Sequence, residues 1–440
     1  MHKLQKYLAY SALGLLAYMP FHVFISQWVS TGTGGLDAWK IGKDVFAAAL
    51  TIICVAAVVW TRKHTKLYLY LLGGTIAYGL LHLVIMAATD QPSDTGLLAT
   101  TYNVRLFCYA IIGYSVVLLA PKVVAPKKLA KLLIILSTIA CLIALLQWVL
   151  PKDVMTHFGY SIERGVKPNF FIDDKPDLLR VFSTLRDPNS LGAFLILPFT
   201  LLSYGLVKFW KTNKRTLIGG LLMLHGLILF LTFSRGAWLG TAVALAVLLV
   251  CSKEFKRHFN KRLLRQYGVL LAASLVVLGG LVFVLRDQYV VQNVVFHSDE
   301  NTQLTDSNNL HLLSIQAGLD GVAGQPFGHG PGTAGLVSIH QDEGALITEN
   351  YFVQIAYEVG LFGLFLMLAL MSLIVTELWP KRRDPLVLAL IASFAGLTLM
   401  NMLFHTWANE AVAASWFLLA GALLGLAADG KRARSKIKTS

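Results

Sequence analysis

Charge is scarce in this chain of 440 residues: Lys, Arg, Asp and Glu make up only 14%, against 56% hydrophobic residues. That balance excludes an ordinary soluble domain and marks an integral membrane protein. Acids are scarcer than bases, 24 against 38. The resulting surplus does not point to nucleic acid, because the bases come in short clusters between apolar runs rather than along one stripe. Cysteine is nearly missing. Cys54, Cys108, Cys141 and Cys251 lie in or beside apolar runs with no CxxC spacing, so neither a disulfide framework nor a thiolate metal site is expected. No histidines stand at HExxH spacing, and no metal is assigned. Internal repeats and soluble domains are lacking too.

What is present is a series of apolar runs, each about as long as a bilayer crossing of roughly 20 residues. Twelve are readable, at 8–27, 44–61, 67–88, 103–120, 130–150, 190–210, 216–233, 235–252, 267–285, 351–378, 385–404 and 409–428. The first lacks a small-residue cleavage site and reads as a retained helix. Connectors alternate in charge. Seven of them, from Lys3/Lys6 to Lys431–Lys438, hold 27 of the 38 Lys and Arg, which makes that side cytoplasmic with both termini on it. The expected fold is all-α: a single polytopic membrane domain over 1–440 with about 12 transmembrane helices. Long external loops at 151–189 and 286–350 and a cytoplasmic basic tail at 429–440, suited to anionic lipid, complete it.

An arginine near the bilayer centre costs roughly 2.5–3.5 kcal/mol on insertion scales, so charges at a membrane rim are informative. Arg180 has no nearby acid except Asp177. Arg186 has a local explanation, a pair with Asp187, in a segment where Asp187, Asn189 or Ser190 can cap the next helix and Pro188 suits its first turn. Arg235 sits in the turn Phe233-Ser234-Arg235 between two apolar runs, without an acid near it; its planar fork suits phosphate oxygens. Within 286–350, His297, Asp299, Glu300 and His311 precede the run Gly328-His329-Gly330-Pro331-Gly332-Thr333-Ala334-Gly335. This matches GxGxxG but lacks the strand and helix of a dinucleotide site; it is a turn or a loop whose amides approach a ligand. Glu349 or Asn350, Gln354 and Glu358 share a helical face. Glu349 is a helix cap or a functional acid, and Glu358, deeper, calls for a cationic partner among the outer arginines. His22, His82, His225 and His405 fall in or at the ends of spans and read as hydrogen-bonded packing residues, while His297, His311 and His340 are external.

Arg180 followed by Pro188-Asn189, then Ser234-Arg235-Gly236 between two spans, then a large loop ending in Glu349-Asn350-Tyr351-Phe352-Val353-Gln354 with Glu358-Val359-Gly360 and Gly363, resembles the O-antigen ligase and O-antigen polymerase superfamily over roughly residues 170–370. The resemblance implies a GT-C-like helical membrane glycosyltransferase working on the outer face of the cytoplasmic membrane. It implies transfer of a glycan from undecaprenyl pyrophosphate to an acceptor hydroxyl with inversion and without metal, nucleotide or other cofactor. Ligases deliver to a lipid A-core sugar, polymerases to another lipid-linked repeat unit. Arg180 and Arg235 match the family's two pyrophosphate-binding arginines. Where its ligases usually carry histidine before the loop asparagine, this chain carries Glu349.

Chemistry agrees with that assignment. Fixed cations favour the charge that develops on a leaving pyrophosphate, and a carboxylate of raised pKa accepts the acceptor's proton. The expected catalytic residues are Glu349, Arg235 and Arg180, with His329 or His311 as substitute base. The expected substrate-binding set is Arg186, Asn189, Asn350, His329, His311 and Glu358. The alternative of a different class is a multi-spanning secondary transporter or flippase. Against it, the two halves do not resemble each other and the charges just named crowd the rim instead of the midplane.

Overall fold

The computed structural model describes residues 2–172, 175–254, 307–340 and 346–438. Among them nine helices are long and apolar enough to cross a membrane, and two shorter apolar helices accompany them. Helices α1 (His2–Tyr18) and α2 (His22–Thr33) are joined by a tight turn at Met19–Phe21 and count as one crossing; α3 (Leu36–Trp60), α4 (Lys66–Ala88), α5 (Ser93–Leu119), α6 (Pro126–Val149), α7 (Pro188–Lys208), α8 (Lys214–Leu231) and α9 (Arg235–Cys251) follow. After them come α10 (Ser307–Gly324), α11 (Tyr351–Leu378), α12 (Pro385–Asn401) and α13 (Glu410–Lys438). Eleven of the twelve expected runs are therefore helical crossings or shorter apolar helices. The run at 267–285 lies outside the described residues, as do His297, Asp299 and Glu300.

Two differences from the expected limits matter. Helix α3 begins at Leu36 and α5 at Ser93, earlier than the apolar runs suggested, so Lys43 is helical, and it is buried with Asp44 and Asn103, the first residues of the two runs. Polar residues at a helix end do not stop the helix when neighbouring helices satisfy them. The loop after α6 also holds a two-stranded antiparallel hairpin, β1 (Phe171–Ile172) with β2 (Lys175–Leu179), for which no expectation existed.

The bundle is organised around α5 and α13. Every residue of α5 from Asn103 to Leu119 except Val104 and Cys108 is buried, and α13 is buried from Ala411 through Gly425. A helix apolar on all sides belongs in the middle of a bundle. The peripheral helices instead leave large apolar side chains open, such as Ile52, Val84 and Met223, the surface a lipid solvent requires. Glycine permits the central contact. A Cβ on Gly421 would lie 1.9 Å from the Ala110 carbonyl oxygen, and one on Gly113 2.0 Å from that of Leu418. Small residues let backbones meet in membranes, where dispersion and packing replace the hydrophobic drive between helices.

Helix α11 is broken once, at Val359–Gly360, where Gly360 has φ +73°. A Cβ there would meet the backbone of Phe327 at 2.6 Å, so both the left-handed conformation and the close approach demand glycine. The connectors assigned to one side gather at one end: Arg180 reaches Thr232, Thr184 reaches Pro20, Gln91 reaches His329 and Asn350 reaches Met402.

Gly421→Ala is expected to lower stability by about 1–3 kcal/mol through overpacking, seen as a lower melting temperature in detergent. Gly220→Ala, whose Cβ meets nothing within 4 Å, serves as the comparison and should leave the melt unchanged.

Candidate active site

The first wall of the site is the stretch 180–187, which runs irregularly from 180 to 182 and then turns at Ser183–Thr184. It is held by partners from three directions. Arg180 and Val181 donate their amides to the Phe170 and Leu231 carbonyls at 2.9 and 3.1 Å. Gln147, near the end of α6, accepts both the Phe182 and Ser183 amides, at 3.0 and 2.9 Å, and Ser183 adopts φ +57°. Asp187 then caps α7, accepting from the Ser190 amide at 2.8 Å and its hydroxyl at 2.8 Å, with Pro188 at the first turn. The capping carboxylate does not pair with Arg186, contrary to the local explanation above. Arg186 instead lies within electrostatic reach of Lys40 and His405.

Arg180 is aimed across this wall. Its Nε donates to the Thr232 carbonyl and its guanidinium to Asn189 Oδ1, both at 3.0 Å. Asn189 thus serves as a bracket for the arginine. Thr232 opens the turn that ends at Ser234, the N-cap of α9, and Arg235 is that helix's first residue. Phe233 takes φ +48° to make the reversal. The two arginines are therefore tied to one turn, separated along it by two residues.

The opposite wall is the start of α11. Asn350 caps it, accepting from the Phe352 and Val353 amides at 2.9 and 3.1 Å, and donates to the Met402 carbonyl at 3.1 Å. Asn350 is thus occupied in fixing the helix start, and Glu349 is not the cap. Glu349 takes φ +50°, a conformation costing a non-glycine residue about 1–3 kcal/mol. Its Oε2 lies 3.4 Å from His311 Nδ1 on α10, with Glu349 27% exposed. Burial, and secondarily the charge of Asp187, pushes the Glu349 carboxyl up to about 7. Burial and then Arg235 hold His311 below its ordinary value. Both directions oppose a fully charged ion pair.

The remaining expected residues stand elsewhere. The glycine-rich loop spends its amides on the protein: His329 and Gly330 donate to the Tyr357 and Glu358 carbonyls at 2.8 and 2.9 Å, and Gly332 donates to Glu358 Oε1 at 3.2 Å. His329 stacks on Tyr357 with ring centroids 4.0 Å apart. Glu358 is fully buried and accepts from Asn103 at 2.8 Å and Gln354 at 3.3 Å. The cationic partner expected for it is replaced by neutral donors, which suffice once three of them converge on one carboxyl. These contacts make His329 and Glu358 fasteners of the loop against α11. The side chain of His340 lies outside the described residues. His22, His82 and His225 are hydrogen-bonded packing residues as expected, each bonded at 2.8 Å to a carbonyl of its own helix or turn.

One constellation escaped the sequence reading. Lys43 and Asp44 on α3, Arg105 on α5 and Glu410 at the start of α13 form a buried ionic network, Lys43 to Asp44 at 2.8 Å and to Glu410 at 3.2 Å, Arg105 to Asp44 at 3.2 Å and to Glu410 at 3.3 Å. His22 closes it, 3.6 Å from Glu410. The signal was available: Arg105 interrupts an apolar run, and an intramembrane arginine needs an acid.

Fold and site together define a polytopic helical membrane protein whose connectors assemble two arginines and a carboxyl–imidazole pair at one end of the bundle. Residues 218–368 match the family model described as O-antigen ligase, and this match supports the resemblance to the O-antigen ligase and polymerase superfamily. The matched stretch contains Arg235, His311, Glu349 and Asn350; Arg180, Arg186 and Asn189 precede it. A comparison with curated proteins gave no match.

The raised carboxyl has a signature in stability. A folded-state pKa of about 7 against an ordinary 4.5 means that Glu349 favours the folded state below pH 4.5 and that this contribution is lost as pH rises to 7. Glu349→Gln should therefore gain on wild type by about 1–2 kcal/mol between pH 4.5 and 8, after discounting for partial solvent access. Paired melting curves at pH 5 and pH 8 check the sign.

Proposed function

We propose that this chain is a metal-independent, inverting glycosyltransferase. In this reading it moves a glycan from a lipid pyrophosphate carrier, undecaprenyl pyrophosphate, to an acceptor hydroxyl at the outer face of the cytoplasmic membrane, with both termini cytoplasmic. The observation that carries the proposal is the pairing of Glu349 with His311, with Arg235 within electrostatic reach of the imidazole and its turn also anchoring Arg180. The family match supports lipid-linked glycan substrates.

The bond between the anomeric carbon and the phosphate oxygen breaks, and its electron pair leaves on the pyrophosphate. Arg180 and Arg235 stabilise that charge; they are held in place beforehand and need little reorganisation as it develops. Glu349, in its carboxylate form, takes the proton of the acceptor hydroxyl while the acceptor oxygen bonds to the anomeric carbon. A base of pKa near 7 is well matched to neutral conditions: enough is ionised, and its proton affinity remains high. His311, 3.4 Å away, can take that proton from Glu349 between turnovers. Asn189, Asn350, Glu358 and His329 shape and fix the walls, and Arg186 adds a cation beside them.

The test is transfer by purified protein in detergent, with a labelled undecaprenyl-pyrophosphate glycan, a panel of acceptors and EDTA throughout. Release of undecaprenyl pyrophosphate by wild type, about 100-fold slower in Arg235→Ala and abolished in Glu349→Gln, is the expected result. Product size distinguishes attachment of one glycan from polymerisation. The rate should fall as pH drops below about 7, as Glu349 protonates. Undiminished transfer by Glu349→Gln would remove that residue as base, and no donor consumption with any acceptor would remove the transferase.

A further inference from the structure

We infer that Arg105 is a positioning residue for Glu349, acting through the connector 402–409 between α12 and α13. The inference takes Glu349 as the base and so rests on the function proposed above. Arg105 is 3% exposed in its side chain, and its guanidinium works in two directions. One nitrogen meets Asp44 and Glu410 at 3.2 and 3.3 Å. The other donates to the Ala408 carbonyl, the penultimate residue of the connector.

From there the connector reaches both neighbours of the base. The Met402 carbonyl accepts from Asn350 at 3.1 Å, and His405 Nε2 lies 3.4 Å from Thr348 Oγ1. Thr348 in turn donates to the Asn350 carbonyl at 3.0 Å. Glu349 is thus gripped on either side by a strand of chain whose far end is pinned by Arg105. The pinning group is a planar fork, which lysine cannot imitate: a single ammonium has no second arm to hold the carbonyl in a fixed plane with the two acids. The network's size also makes sense on this account. Two cations and two carboxylates buried together are weak evidence for stability in themselves, since desolvation offsets much of their attraction. Fixing the geometry of the connector gives them a use.

The test compares wild type with Arg105→Lys and Glu410→Gln, both near in size and hydrogen-bonding capacity to the residues they replace. Two readouts are taken on each protein: histidine modification by diethylpyrocarbonate, mapped by peptide mass spectrometry, and kcat and KM across pH for transfer. His405 is buried and should be protected in wild type; His225, on α8, is also buried and reports whether the bundle has opened. Glu349 meets His311 from α10 and lies within electrostatic reach of Asp187 at the cap of α7, while His311 lies within reach of Arg235 from α9; none is altered in either variant. In Arg105→Lys, His405 should become reactive with His225 still protected, kcat should fall about tenfold to a hundredfold as for a small misplacement of a reacting group, KM for the donor should stay nearly constant, and the acid limb of the rate profile should move downward as water reaches Glu349.

Protection of His405 in both variants, or a lost kcat with an unmoved pH limb, overturns the inference. So does joint exposure of His405 and His225, which would make Arg105 a general structural residue. Histidine modification reads the connector whatever the chemistry. A wild type without a Glu349-dependent acid limb would therefore sink the proposed function separately from the mechanical link.

Discussion

A polar group removed from water must find its partners within the protein, and in a chain this apolar most of the architecture follows from that one demand. Asp187 is consumed in capping α7, Gln147 in holding two amides of the stretch 180–187, Asn350 in capping α11 and Glu358 in fastening the glycine-rich loop. Of these, Asn350 and Glu358 are side chains that sequence patterning alone offers as site residues. Glu349 differs in that its carboxyl meets an imidazole, His311, which lies within electrostatic reach of Arg235.

The helices were nearly all readable because lipid imposes a length and a composition that survive in any sequence window. Limits were less so. Lys43 looks like a connector residue by hydropathy, and Asp44 and Asn103 stand at the very start of their apolar runs, yet all three are buried within α3 and α5, where Arg105, Glu410, His82 and Glu358 meet them. Such pairings join residues far apart in the chain, Lys43 with Glu410 for one, and no local pattern contains them. Likewise, the hairpin at 171–179 depends on partners in the hairpin itself and on the Phe170 carbonyl that receives Arg180, not on an alternating apolar face.

The candidate site divides the same way. Arg180 and Arg235 stand out in sequence because nothing near them explains a guanidinium, and Glu349 because it precedes an asparagine at the head of an apolar run. The roles of Asn189, His329 and Glu358 were not legible, since an amide or acid that binds substrate and one that binds its own backbone look identical in a sequence. His311 was one of several loop histidines until α10 brought it to Glu349. His405 reads in the sequence as a packing residue at the end of a span, and only the fold shows that it meets Thr348, the residue before the carboxyl.

The break in α11 at Val359–Gly360 has a mechanical meaning. Tyr351–Glu358 is fastened to residues 328–335 by backbone hydrogen bonds from His329 and Gly330 and by the Glu358 carboxyl, while the remainder of the helix continues toward the other end of the bundle without an uninterrupted rod between them. Beyond the break the Leu361 amide bonds to the Pro326 carbonyl, so the same loop clasps α11 on both sides of the kink. The angle at which the short piece behind Glu349 meets the long apolar segment is thereby set by the loop, as a splint sets a joint.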